Sequence, residues 1–258
     1  MTLSVHLVQP IVPSYRIPVF RRLATASGID LTVWADSKSS AASLQGVTSD
    51  TGFRIRAAPL HRLGPFFWQP ASIAAATSGP DVLLLSWAAR SLDLPFALRR
   101  ARRRGVATVL WGHGFGTSHP ILGDLRRSKS RDAADAFLLY GPAGRERLAR
   151  AGFAPDRLFV APNAIDQFVI AAAAAAWRAD PSRASEFRDE HGLGEDPLLL
   201  YVARLEPEKL PQLAIESLAI LRRSTPARLA FIGDGAMRGD LEKLARDRGV
   251  ANAVTFLG

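Results

Sequence analysis

The sequence predicts an α/β protein made of two doubly wound parallel sheets, the second of them incomplete. Three observations carry this. Short apolar, β-branched runs recur, each followed by a segment of helical length and pattern. The runs are nearly continuous in apolar residues, as in strands covered by helices on both faces. The alternation breaks once, around residues 162–190, and then resumes. Strands separated by helices form right-handed βαβ units and hence parallel sheets.

Taken in order, Leu3–Val8 reads as a buried strand. A proline-rich turn leads to a helix over Tyr15–Ser27, with Val19, Phe20 and Leu23 on its apolar side. Ile29–Trp34 is the next strand, and Ser37–Asp50 a loop or weak helix. Asp81–Ser86 is a strand. Ser91–Arg104 is a helix whose basic end suits the dipole and which Gly105 stops. Val106–Trp111 and Ala136–Tyr140 are strands, Ala143–Ala151 a helix closed by Gly152, and Arg157–Val160 a short strand. After the junction comes the six-alanine run Ala171–Ala176, read as helix, and a charged helix over Pro181–His191. The second sheet reads as Pro197–Val202, Ala227–Ile232 and Val254–Phe256, with helices over Leu210–Arg223 and Gly235–Arg248. Three strands fall short of the about five or six of a doubly wound domain.

The chain has 258 residues, enough for one large domain or two modest ones. With 48% hydrophobic and 22% charged residues it is not a disordered chain. It has no cysteine, which excludes disulfides, thiolate metal sites and a cysteine nucleophile. The net charge is +9, gathered in the clusters Arg99–Arg104 and Arg126–Arg131. Two readings of these clusters stay open: attraction for phosphate groups, or plain solvated faces. No motif that reads RNA or DNA accompanies them, so nucleic acid is not an expected partner. Residues 1–20 lack a basic leader and contain Pro10, Pro13 and Pro18, so they are not a secretory signal. No apolar run reaches the roughly 20 residues needed to span a bilayer. The expected location is the cytoplasm, with peripheral contact at the inner membrane surface as the closest approach to lipid.

In open parallel sheets ligands sit beyond the carboxyl ends of strands. After Pro197–Val202 come Arg204 and Lys209, two cations in a strand-to-helix turn. An arginine forks two phosphate oxygens and a lysine adds a point charge, while the next helix start offers free N–H groups. That is the chemistry a diphosphate requires, although any helix start can carry a lysine. After Ala227–Ile232 comes Gly233-Asp-Gly235, which either admits a ligand close to the backbone or is only a tight turn. Val160-Ala-Pro-Asn-Ala-Ile-Asp166 reads as a structural turn between the two sheets. There is no Asp-x-Asp pair and no His/Asp cluster at metal spacing, so no metal site is expected and cations should hold any diphosphate.

In order and spacing, VAPNAID, LLLYVARLEPEK and LAFIGDGAMRGDLEKLA resemble the donor-binding half of group 1 glycosyltransferases of the retaining GT-B type. The resemblance covers Arg157–Gly258 and implies a GT-B fold of two Rossmann-like sheets. It implies domains at 1–162 (acceptor side), 163–194 (linker and helix) and 195–258 (partial donor side). It implies transfer of a sugar from a nucleotide-diphosphate sugar to an acceptor hydroxyl, on a polysaccharide or a lipid-linked glycan, without metal. The nucleotide sugar is then a co-substrate, and no cofactor is expected. Arg204 and Lys209 would bind the donor pyrophosphate, with Gly233 and Gly235 beside them. Pro10–Phe20 stands where the family has an often glycine-rich first loop, but carries prolines, so Ser14, Tyr15 and Arg16 are assigned to the acceptor instead. Trp111-Gly-His-Gly-Phe-Gly116 resembles the family's cleft loop, with Gly112 and Gly114 leaving an exposed, flexible backbone around His113. An imidazole there could donate a hydrogen bond or shuttle a proton, which makes His113 the candidate catalytic residue. The family's Glu-x7-Glu segment for donor sugar and ribose is not reached before Gly258, so the chain is expected to be C-terminally truncated. The alternative function is a non-catalytic remnant or partner subunit that binds only sugar or an anion.

Overall fold

The computed structural model describes residues 1–36, 52–114 and 130–258. The expected loop or weak helix at Ser37–Asp50 lies outside them, as do residues 126–129 of the second basic cluster and the Phe115-Gly116 pair. The chain divides into two units, Met1–Gln167 and Phe168–Gly258.

The first unit is a seven-stranded sheet. Its strands are β1 (Leu3–Val8), β2 (Ile29–Ala35), β3 (Arg54–Ala57), β6 (Val82–Ser86), β7 (Ala107–Gly112), β8 (Ala136–Leu139) and β9 (Leu158–Val160). They lie in the order β3-β2-β1-β6-β7-β8-β9, and every neighbouring pair is parallel. The order reverses between β1 and β6, which makes their carboxyl ends the topological switch point. An antiparallel hairpin, β4 (His61–Leu63) and β5 (Phe66–Trp68), stands apart.

Four helices of this unit are described: α1 (Ile17–Thr25), α2 (Ala71–Thr77), α3 (Leu94–Arg103) and α4 (Pro142–Arg150). Helix α1 starts two residues later than expected, because Ser14–Arg16 forms a 3-10 turn before it. Pro18 fits in its first turn, where no N–H is needed. Helices cover both faces of the sheet. On one, Phe20 of α1 packs with Val5, Leu7, Leu31 and Val33; on the other, α2 and α3 pack on Val8, Leu83, Leu85 and Leu110. Alternate residues of each strand face opposite ways, so the continuous apolar runs supply both cores at once. Each fully buried Leu or Phe here contributes about 1.5–3 kcal/mol.

Residues 54–77 hold three strands and a helix that the sequence pattern did not mark. The strands are three or four residues long and carry Arg54, Arg56, His61 and Arg62. Helix α2 (ASIAAAT) buries Ala71, Ser72, Ala75 and Ala76. Small side chains let it lie close to its neighbours but give little amphipathic signal.

Helix α5 (Gln167–Ala179), which holds the alanine run, starts at the last residue of the first unit and leads the second, followed by α6 (Ser182–Glu190). Its sheet is β10 (Leu198–Val202), β11 (Arg228–Ile232) and β12 (Val254–Phe256), parallel and in that order. Helices α7 (Gln212–Leu221) and α8 (Arg238–Asp247) bury Ile215, Leu218 and Leu241 against Leu229 and Phe231. A two-pronged ion pair from Arg248 to Glu216, at 2.7 and 2.8 Å, ties the end of α8 to α7.

The expected cover on both faces of this sheet is not met at β10. Leu200 is 58% and Val202 68% exposed. β10 is an edge strand, and the helices that pack on the sheet lie over the Leu229/Phe231 face; Leu200 and Val202 pair in register with Ala230 and Ile232, on the other face.

Candidate functional site

Two groups of candidate residues are described, one in each unit. In the first, the segment after β1 turns through the 3-10 helix Ser14–Arg16. Ser14 and Tyr15 are exposed, and Arg16 is half-buried. The Arg16 guanidinium donates to the side-chain oxygen of Gln9 and to the Tyr140 hydroxyl, the latter at 2.7 Å. It also lies 4.6 Å from the centre of the Trp111 ring, a cation–π contact. Tyr140 in turn packs edge-on against His113, ring centres 4.5 Å apart. Residues from the carboxyl ends of β1, β7 and β8 thus meet in one cluster, beside the switch point. Arg16 Nε and Trp111 Nε1 are buried there without a hydrogen-bond partner among the described residues. Most buried polar atoms find partners, so unmet ones mark a place of stored cost.

The sequence assigned Arg16 and His113 separately, and the structure joins them through Tyr140. Tyr140, Gln9 and Trp111 were not named as site residues. The sequence pattern ends the strand Ala136–Tyr140 at Tyr140, and a strand's carboxyl end is the position that flags it.

The expectation of an open, flexible backbone around His113 is corrected. Gly112 is buried in β7, and a Cβ there would stand 3.0 Å from the Trp87 carbonyl oxygen and 3.2 Å from the Trp87 Cβ. Gly114, at φ +72°, would meet Leu148 at 3.1 Å and Leu139 at 3.2 Å. Both glycines are where they are because the chain is tightly packed. His113 itself is exposed between them.

In the second unit, β10 ends at Val202 and the chain bends through Ala203–Glu206 into the 3-10 turn Pro207–Lys209. Leu205 is fully buried and pins the bend to the core. Its N–H donates to the Asp234 carbonyl at 3.0 Å, and its own carbonyl accepts from Met237 N–H at 3.0 Å. This holds Arg204 at the surface beside Gly233–Gly235, with Lys209 exposed at the end of the 3-10 turn. The glycines are demanded by that contact. A Cβ at Gly233 would stand 2.2 Å from the Ala203 carbonyl oxygen, and one at Gly235 2.5 Å from that of Leu205.

The Arg204 side chain is 68% exposed and donates to Glu208 Oε1 at 2.9 Å. An incoming anion would compete with one surface carboxylate, an exchange that costs at most about 1 kcal/mol. Lys209 has no side-chain partner among the described residues. Its carbonyl accepts from the Tyr201 hydroxyl at 2.9 Å, which fixes the backbone of the turn. The start of α7 offers fewer free donors than expected. Leu213 and Ala214 N–H groups bond back to Leu210 and Pro211, because Leu210 adopts a left-handed conformation, φ 52°, and tightens the turn. Side-chain cations, more than helix N–H groups, are therefore what this turn presents.

Among the described residues no group of three or more His, Cys, Asp or Glu could hold a metal ion. No described helix is long and apolar enough to cross a membrane.

Two parallel sheets of seven and three strands, each with its ligand-side turns at the strand ends, define a GT-B-like α/β fold. The model of Glycosyltransferase Family 4 matches residues 20–167, and that of Glycosyl transferases group 1 matches residues 183–258. The chain belongs to the family 4, group 1 glycosyltransferases. A GDP-mannose-dependent alpha-(1-6)-phosphatidylinositol monomannoside mannosyltransferase of Mycobacterium tuberculosis is 32% identical over 177 residues, covering 67% of this chain and 44% of the relative. An alpha-D-kanosaminyltransferase of Streptomyces kanamyceticus is 36% identical over 141 residues, covering 54% of this chain and 35% of the relative. The chain thus spans less than half the length of these relatives. Among solved structures, Anabaena HepE in complex with UDP aligns with a TM-score of 0.70 at 17% identity, covering 100% of this chain and 69% of the other. A UDP-GlcNAc 2-epimerase of Neisseria meningitidis aligns at 0.60 and 12% identity, covering 100% of this chain and 72% of the other. Likeness at this level is one of fold, shared by transferases and epimerases alike.

Proposed function

We propose that this chain carries the pyrophosphate-binding part of a nucleotide-sugar glycosyltransferase. The enzyme would transfer a hexosyl group with retention and without a metal to an acceptor hydroxyl. The observation that supports this most is the Arg204–Lys209 turn. Two exposed cations stand in a turn pinned by the buried Leu205, and among the described residues only Arg204 is engaged, by an exposed carboxylate. In transfer, negative charge builds on the departing diphosphate, and preplaced cations stabilise it. Gly233 and Gly235 serve the same site by letting the two turns touch. Residues 195–258 then form the donor side, 163–194 the linker, and 1–162 the acceptor side.

On the acceptor side, Ser14, Tyr15 and Arg16 would meet the acceptor, and Gly112 and Gly114 would fix the turn that carries His113. His113, supported by Tyr140, would hydrogen-bond or relay a proton at the reacting hydroxyl. The mycobacterial relative is named for a phosphatidylinositol monomannoside acceptor. That favours a lipid-linked glycan over a polysaccharide, and contact with a membrane surface.

The test is calorimetric titration with GDP- and UDP-sugars. Arg204→Ala and Lys209→Ala should each weaken binding about tenfold or more, as expected for a lost charge-assisted pair of about 1.5–3 kcal/mol. Unchanged affinity in both variants would show the pyrophosphate to be bound elsewhere.

A further inference from the structure

The first unit has a concavity that the donor reading does not use. It encloses about 420 Å³ between α3 and the Trp87–Leu92 turn that follows β6, a size typical of small-molecule sites. Its walls are largely apolar, with Trp87, Leu92, Leu94, Pro95, Leu98 and Ala133 among them. Ser91 and Ser130 add hydroxyl groups, Arg99 and Arg102 are its charged residues, and no acidic residue lines it among the described residues. Three positions apart on α3, the two arginines share one side of the helix. Both are exposed, and neither side chain has a hydrogen-bond or ion-pair partner among the described residues. Phe96, on the same helix, is another exposed apolar side chain.

We infer that this cavity binds a single-chain anionic amphiphile, its alkyl chain among the apolar walls and its phosphate head on Arg99 and Arg102. The inference deepens the acceptor half of the function proposed above and rests on it. Free phosphate would gain nothing from walls of Trp, Leu and Pro, and a nucleotide could stack on Trp87 but would leave the aliphatic walls of Leu92, Leu94, Pro95 and Leu98 unused. A neutral hydrocarbon would leave two adjacent guanidinium groups without a counter-charge. A guanidinium fork matches phosphate oxygens in geometry. Trp87 connects the cavity to the candidate catalytic turn: its N–H donates to the Trp111 carbonyl at 2.8 Å, and its backbone crowds Gly112. A lipid-linked acceptor held here by its chain and phosphate would be anchored next to the elements that carry His113.

The experiment titrates hexyl, octyl, decyl and dodecyl phosphate, each below its micelle concentration, by tryptophan fluorescence and calorimetry. Affinity should rise about fourfold per added methylene until the cavity is full. Alkanols of equal length should bind at least tenfold more weakly. Arg99→Ala/Arg102→Ala, at exposed positions where folding is not at stake, should reduce alkyl phosphates to the alkanol level. Ala133→Trp should occlude the cavity and remove chain-length dependence. Chain-length independence, or full competition by inorganic phosphate, would overturn the proposal in favour of a simple anion site. Binding that persists in Ala133→Trp and appears only on phosphatidylglycerol vesicles would overturn it in favour of surface attraction. A parallel titration with GDP and UDP separates the two readings. If a diphosphate binds and alkyl phosphates do not, only this inference falls. If alkyl phosphates bind and neither diphosphate does, the donor reading falls and the cavity stands.

Discussion

A methyl group added at Gly235 would lie 2.5 Å from the Leu205 carbonyl oxygen, and one at Gly233 2.2 Å from that of Ala203. Neither neighbour is a flexible side-chain end; both are backbone atoms of the turn that carries Arg204. Gly235→Ala should therefore cost about 1–3 kcal/mol of stability and weaken diphosphate binding as well, because relief of the clash moves Arg204. Urea unfolding of the variant, with binding measured alongside, checks both. A variant with unaltered stability would mean that the two turns are not in contact. His6 makes a different residue-scale case. Burial, reinforced by Arg56, holds its imidazole below the ordinary value, so the folded chain resists protonating it. As pH falls through about 6.5, the ordinary imidazole value, the unfolded chain takes up the proton first. The stability from neutral His6 is thus present above that pH and is lost as pH drops towards the folded-state value. His6→Asn should flatten the slope of the urea midpoint between neutral and mildly acidic pH; an unchanged slope would assign it to other groups.

At the scale of elements, the start of α3 depends on one buried carboxylate. Asp93 accepts from Gln69 N–H at 3.0 Å, from Ser72 Oγ at 2.7 Å and from Ser91 Oγ at 3.0 Å. It thereby fixes α2 and α3 to each other beside the switch point. Gln69 extends the network, donating to the carbonyls of Gln9 and Ala58 at 3.1 and 3.0 Å. Asp93→Ala leaves three buried donors without their acceptor and should cost about 1.5–3 kcal/mol or more, read from thermal and urea unfolding. A near-neutral result would mean that water replaces the carboxylate. The sequence pattern missed this region because its signal is not periodic. Helix α2 packs through alanines, and β3 to β5 are short and charged. The apolar runs Val82–Ser86 and Arg228–Ile232 are legible because a strand with apolar residues on both faces has few other ways to hide them. The same logic misjudged β10, whose apolar run promised cover that its edge position does not supply.

At the scale of the molecule, two parallel sheets were readable because apolar strand runs recur with helical segments among them on either side of the junction. The seven-stranded order, with its reversal between β1 and β6, was not readable, since pairing follows from tertiary packing rather than local pattern. The site was legible in part. His113 and Arg204 stand just after strands and Lys209 ends the turn that follows β10, the positions that made them candidates. The cluster that joins Arg16 to His113 through Tyr140 draws on segments 124 residues apart, and no spacing rule reaches that far. The central claim is that cations of the second unit, without a metal, hold a nucleoside diphosphate. It is tested most directly by comparing the affinities of a nucleoside diphosphate and its monophosphate in the presence of EDTA. The diphosphate should bind at least about tenfold more tightly, a step of about 1.4 kcal/mol, and that step should vanish in Arg204→Ala/Lys209→Ala. Equal affinities in the unsubstituted chain, or a preference that appears only with added magnesium, would contradict it.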